Sequence, residues 1–433
     1  MTRPSARVSG QAARLLAGTP AIAEAHFRAE ARPYHPRLRP DGWLNLGTAE
    51  NRLLADLHSG HRPPALTDAT TRYAPLYGTA GLRERVAAHL GGSLDPEDLV
   101  VVAGATAALD VVATVLCDPG DAIVVPTPYY GAFDTDLAGR SGARLLPAPP
   151  DPADGHGLWP QGVRRVLEEA RRTGTVVRAV ALASPGNPTG RVHPPAVLHE
   201  LAAVAAAHGV DLIADEIYAG SVFEGGFMSL RETRGPRVHT VWGFAKDFAL
   251  PGLKAGVLHT PDPQVRDAAR ALAYFAPLSA HTQAVLADLL ADPRRVAAFL
   301  AENRRRLGAS YAAAVRLLDV HGIPYAPAQA GCSVWADLGA WLPPGPGFEG
   351  ERALWREILD RTRVSILPGE AFHAPRPGRF RICHTLDAAV VEEALTRLGR
   401  FLGARTGPAG PGAKGDARGE GRQHTAGSAR PLV

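Results

Sequence analysis

The chain has 433 residues, 45% hydrophobic and 21% charged, the balance of an ordinary globular protein with room for two domains. Its 47 basic and 43 acidic residues leave a formal net charge of +4, too evenly mixed for a nucleic-acid-binding face. Three cysteines, Cys117, Cys332 and Cys383, form no CxxC pair, which argues against a disulfide framework and a zinc knuckle, and no metal site is expected.

No apolar run reaches the roughly 18 residues of a membrane span. The first residues lack the order of a secretory signal. The expectation is a cytoplasmic protein with no membrane partner. Lysine occurs only at Lys246, Lys254 and Lys414, so 44 of the 47 basic residues are arginine. A lysine kept against that bias invites a chemical explanation.

Residues 1–40 are rich in Ala and Arg with scattered prolines, and read as a partly flexible extension. Residues 41–70 read as a segment joining a smaller domain. Between 71 and 295, apolar runs at 99–103, 122–125, 176–183, 210–214, 238–241 and 255–259 alternate with helical patterns near 106–116, 160–172 and 195–208. That alternation predicts an α/β fold with a mostly parallel sheet covered by helices. Longer helices and sparser strands over 296–402 suggest a small C-terminal domain. The stretch 403–433, rich in Gly, Ala, Arg and Pro, reads as a disordered tail.

In Val101-Val-Ala-Gly-Ala-Thr-Ala-Ala-Leu-Asp110 a strand ends in a small-residue turn and a helix starts at once. Ala105, Thr106 and Ala107 would there offer backbone N–H groups and one hydroxyl to an anion at the positive helix end. The same turn also fits an ordinary strand–helix connection. Further along, Ser184-Pro-Gly-Asn187-Pro-Thr-Gly190 follows one apolar run, and Asp211-Leu-Ile-Ala-Asp215-Glu-Ile-Tyr218 forms the next. An aspartate closing a buried strand is costly unless a cation meets it. The protonated pyridine nitrogen of pyridoxal 5′-phosphate (PLP) is such a cation, with Asn187 and Tyr218 in reach of the ring's phenolic oxygen.

Lys246 follows another apolar run, in Val241-Trp-Gly-Phe-Ala-Lys246. A primary amine can condense with an aldehyde, whereas a guanidinium stays protonated and is a poor nucleophile. Lys246 is therefore the expected Schiff-base residue for PLP. Once released by substrate, it is the expected general base at an amino acid's α-carbon. A surface lysine is the plainer alternative, and the composition weighs against it.

Taken in order, these blocks resemble the fold-type-I PLP enzymes, the superfamily of the class I/II aminotransferases. Within it, four segments are most similar to the 1-aminocyclopropane-1-carboxylate (ACC) synthases: Gly47-Thr-Ala-Glu50-Asn51, Pro126-Thr-Pro-Tyr-Tyr130-Gly-Ala-Phe-Asp, Phe348-Glu-Gly-Glu-Arg-Ala-Leu-Trp-Arg, and Gly378-Arg-Phe-Arg381-Ile-Cys. The resemblance implies a large PLP-binding domain built on a seven-stranded type of sheet, a smaller α+β domain, and a homodimer with shared active sites. It implies that Tyr130 stacks on the pyridine ring, that Arg381 clamps the substrate carboxylate, and that Tyr73 or Tyr77 reaches the partner's cofactor phosphate. It also implies that Glu50 lies near the amine and sulfonium of S-adenosylmethionine (SAM). The implied reaction is α-proton removal followed by γ-elimination with ring closure. An aminotransferase shares every cofactor residue and is the alternative; a non-catalytic PLP-binding module would need a DNA-binding segment, and none is visible.

The sequence departs from the family at Gly243 and Ala245, where serines are usual, and at Lys254, where an arginine is usual. These changes remove hydroxyl donors and a two-pronged guanidinium from the expected phosphate site. Lys254 runs against the chain's own arginine bias, so a remodelled phosphate pocket is expected.

Overall fold

The computed structural model describes residues 8–10, 12–13, 21–59, 64–91, 94–235 and 237–406. Residues 403–406, expected to begin the disordered tail, instead close the helix Ala388–Thr406; from 407 onward the tail lies outside the described residues, as does much of the extension before residue 21.

Seven strands form the main sheet: β1 (Leu99–Val102), β2 (Ala122–Pro126), β3 (Arg144–Ala148), β4 (Val177–Ala183), β5 (Asp211–Asp215), β6 (Val238–Gly243) and β7 (Gly256–His259). Their order is β1-β7-β6-β5-β4-β2-β3. All neighbours are parallel except that β7 runs against both β1 and β6. Every residue of β1, β2, β5, β6 and β7 is buried, because helices cover both faces. Such strands read as continuous apolar runs rather than alternating ones. The α/β expectation is borne out. β3, at the sheet edge, is partly exposed and carries a proline. It gave no apolar run in the sequence.

Helices α1 (Ala105–Leu116), α2 (Pro160–Arg172) and α3 (Pro195–His208) fall at the predicted places. Pro160 and Pro195 stand in the first turn of α2 and α3, where a missing N–H costs nothing. Gly209 ends α3 at φ +66°, the left-handed conformation that favours glycine. The packed faces of these helices and the sheet form two core clusters.

Helix α4 (Pro293–Val320) runs for 28 residues from the large sheet to a second core. Past it, β8 (Tyr325–Ala326), β9 (Ser333–Asp337), β10 (Leu367–Pro368) and β11 (Arg379–Cys383) make an antiparallel sheet in the order β10-β11-β9-β8. Helices α5 (Glu349–Thr362) and α6 (Ala388–Thr406) pack with it. The N-terminal residues Ala25, Ala29, Trp43, Leu44 and Leu46 are buried in this same cluster. Leu44–Asn45 also pairs in parallel with Val364–Ser365. Among the described residues no helix is long and apolar enough to cross a membrane.

Candidate active site

The carboxyl ends of β1, β2, β4, β5 and β6 open on one edge of the sheet, and β7 begins at that edge because it runs the other way. Ligands of open α/β sheets bind at such an edge. After β1 the chain turns directly into α1 at Gly104, at φ +102°. A β-carbon on Gly256 would collide with the Gly104 carbonyl, so the first turn of α1 lies against β7. Ala105 and Thr106 occupy that turn, where backbone N–H groups have no helical acceptor. The Thr106 hydroxyl donates to Asp136 at 3.2 Å.

Asp215 is the last residue of β5, 5% exposed, and takes a 3.3 Å hydrogen bond from the Ile217 N–H. Burial pushes its carboxyl up to about 7; the Ile217 N–H and the Lys246 amine oppose the rise, and the Asp136 charge adds to it. Lys246 sits on the helical turn Phe244–Asp247 at the end of β6 and donates from Nζ to the Ala49 carbonyl. Burial holds its amine below the usual lysine range, which favours the neutral base. Burial raises the Tyr218 phenol well above its ordinary value.

Arg381 enters from the middle of β11, 4% exposed. Its guanidinium donates to Asn187 Oδ1 at 3.1 Å and to the Gly47 carbonyl at 2.6 Å, and lies 4.8 Å over the Phe372 ring. Its Nε is buried and has no hydrogen-bond partner among the described residues. Two sheets and the N-terminal segment therefore converge on one cavity of about 350 Å³, lined by Ala105, Thr106, Tyr130, Asn187, Asp215, Tyr218, Lys246, Lys254 and Arg381, together with Thr48, Ala49 and Asp136. A larger groove of about 730 Å³ runs along α4 and α6. It is mainly apolar and holds none of the candidate residues, so the smaller cavity is the candidate site.

Four sequence candidates are not among the residues lining this cavity. Ala107 is partly buried and packs against the core cluster on the α1 side of the sheet. Tyr77 is held between the guanidinium groups of Arg83 and Arg270, 5.2 and 4.5 Å from its ring. Tyr73 is fully exposed. The Glu50 carboxylate is paired with Arg52 at 2.7 Å. Conversely, Asp136 was missed in the sequence. The only signal was an aspartate in Phe133-Asp-Thr-Asp136, directly after the Tyr130 block.

A model of the family described as aminotransferase class I and II matches residues 42–398. The chain belongs to this aminotransferase class I and II family. Among curated proteins, this family member is 35% identical over 404 residues to 1-aminocyclopropane-1-carboxylate synthase 3 of Oryza sativa subsp. japonica, covering 86% of this chain and 89% of that one. It is 33% identical to 1-aminocyclopropane-1-carboxylate synthase 6 of Arabidopsis thaliana, with 86% and 80% covered. Among solved structures it matches a double mutant of Thermus thermophilus aspartate aminotransferase, with TM-score 0.76, 25% identity and 91% and 100% covered. The same aminotransferase with maleate matches at TM-score 0.75 and 25% identity, with 91% and 100% covered.

Members of the aminotransferase class I and II family of this kind are PLP-dependent enzymes, and so is this one. The residues present fit the cofactor. A buried amine at Lys246 suits its aldehyde, and the α1 N-terminus with Lys254 suits its phosphate. The buried carboxylate of Asp215 calls for a cation such as the ring nitrogen.

Proposed function

We propose that this chain is a lyase of the ACC-synthase type that acts on SAM or another amino acid with a γ leaving group. The observation that carries the reading is the one cavity uniting Lys246, Asp215 and Arg381, in a chain 35% identical to an ACC synthase over most of its length.

When bound, PLP supplies an electron sink for the pair left at the substrate's α-carbon. Lys246 Nζ takes the α-proton, a role suited to an amine whose protonated form burial disfavours. The Arg381 guanidinium binds the substrate carboxylate through two parallel hydrogen bonds, and the buried Nε without a protein partner is available for that. Asp215 keeps a negative charge where the ring nitrogen needs its proton. Asn187 and Tyr218 face the phenolic oxygen, Tyr130 covers the ring, and Ala105, Thr106 and Lys254 hold the phosphate. In the SAM reaction the Cα–H and Cγ–S bonds break, a Cα–Cγ bond forms, and methylthioadenosine leaves.

The enzyme works as a homodimer in this reading. Thr106 and Lys254 are exposed at the phosphate end of the cavity, and the wholly exposed Tyr73 is free to reach a partner's site, while Tyr77 is engaged within its own chain.

Incubation of the purified holoenzyme with SAM tests the reaction. Release of methylthioadenosine and ACC without any added 2-oxo acid is expected. Amino-group transfer that requires a 2-oxo acid, with no methylthioadenosine, would establish the aminotransferase instead.

A further inference from the structure

Asp136 is a buried acid for which the proposed reaction has no use. It ends the short helical turn Phe133–Asp136 that follows Tyr130, is 7% exposed, and lines the same cavity as Thr106 and Lys254. Its two oxygens accept hydrogen bonds from the Thr106 hydroxyl at 3.2 Å and the Thr135 hydroxyl at 3.5 Å. The hydroxyl expected to serve the cofactor phosphate is thus already given to a carboxylate.

The charged groups around Asp136 come from several elements. Asp110 faces it from α1 and is paired with Arg140 at 2.8 Å. Lys254 faces it from the loop before β7, Asp215 from the end of β5, and the Tyr130 phenol from its own loop. Lys254 therefore lies within electrostatic range of this carboxylate as well as in the lining that an arriving phosphate would meet. Burial pushes the Asp136 carboxyl up to about 6, with the Thr106 hydroxyl opposing the rise, so it changes charge near neutral pH.

We propose that Asp136 is a proton-dependent positioning residue for the cofactor phosphate. Protonated, it frees the Thr106 hydroxyl and adds its own O–H as a donor. Ionised, it draws Thr106 and Lys254 to itself and repels the dianion. Cofactor grip then weakens as the pH rises. The proposal rests on PLP binding in this cavity and goes beyond it in assigning a residue and a pH dependence.

Equilibrium dialysis of wild type and Asp136→Asn against PLP, and in parallel against pyridoxal, which lacks the phosphate, tests it. At about pH 8 the variant should bind PLP about tenfold more tightly than wild type, a ratio that closes towards one below about pH 5, with pyridoxal affinity alike in both proteins. A variant that binds PLP no better at the higher pH, or that shifts pyridoxal as much as PLP, overturns the proposal. Sulfate, a dianion throughout this range, gives a second measurement on wild type alone. Its inhibition constant against PLP should rise as pH passes about 6, and a flat profile counts against Asp136. Failure of PLP to condense with Lys246, read from its absorption band, would instead sink the cofactor assignment.

Discussion

Glu50 and Arg52 form an ion pair, with Arg52 Nη2 2.7 Å from the Glu50 carboxylate, next to the cavity that Thr48 and Ala49 line. The pair is partly exposed, with 55% of the Arg52 side chain and 30% of the Glu50 side chain accessible. It is therefore weakly held, in the range of about 0–1 kcal/mol, and a cationic substrate can compete for the carboxylate.

If Glu50 serves the sulfonium of SAM, Arg52→Gln should raise kcat/KM for SAM by roughly two- to fivefold. Glu50→Gln should lower it by at least about tenfold while leaving the cofactor's absorption unchanged. Steady-state kinetics on both variants decides the matter. A Glu50→Gln enzyme as fast as wild type would show that Glu50 has no substrate role.

Asp215 sets a pH dependence for the cofactor-free protein. Burial raises its carboxyl from 3.8 to about 7, so the folded chain keeps a proton that the unfolded chain has lost. That contribution is complete below the unfolded value, and it is lost as pH rises through the folded one. Asp215→Asn should therefore gain roughly 3–6 °C in Tm over wild type above about pH 7, and little near pH 4, by calorimetry without cofactor. Its PLP affinity should fall. An equal Tm difference at both pH values would contradict the assignment.

Lys254 has φ +50° and lies beside the Gly104 turn. Lys254→Arg restores a two-pronged donor and is expected to tighten PLP binding about tenfold, measured by dialysis. Unchanged or weaker binding would argue against a remodelled phosphate pocket.

If two protomers share each site, Tyr73 and Lys246 are complementary. Lys246→Ala and Tyr73→Ala should each be nearly inactive alone. Unfolded together and refolded as mixed dimers, they should recover about a quarter of wild-type activity, because half the dimers are hybrids with one intact site. No recovery, with hybrid dimers verified by mass spectrometry, would show that Tyr73 does not serve the partner's site.

Much of the fold was legible because its strands are buried on both faces and appear as unbroken apolar runs, as in β2 and β5. β3 escaped because an edge strand that is half exposed and carries Pro147 shows no such run. Lys246, Asp215 and Asn187 were readable for a chemical reason, since an amine, an acid at a strand end and an amide have few alternatives in those settings; Arg381 was named only through the family resemblance. Lys246 stood out further in a chain that otherwise uses arginine.

The sequence by itself determined the alternation of strand and helix and the kinds of functional group that reach the ligand edge, since both follow from local pattern and chemical type. Only the tertiary structure decided which of those groups meet. It packed Ala107 against the core, held Tyr77 between Arg83 and Arg270, left Tyr73 exposed, and joined Glu50 to Arg52. It also brought Asp136 to Thr106, 30 residues earlier in the chain. Burial and charge pairing depend on neighbours distant in sequence, and no local pattern carries that information.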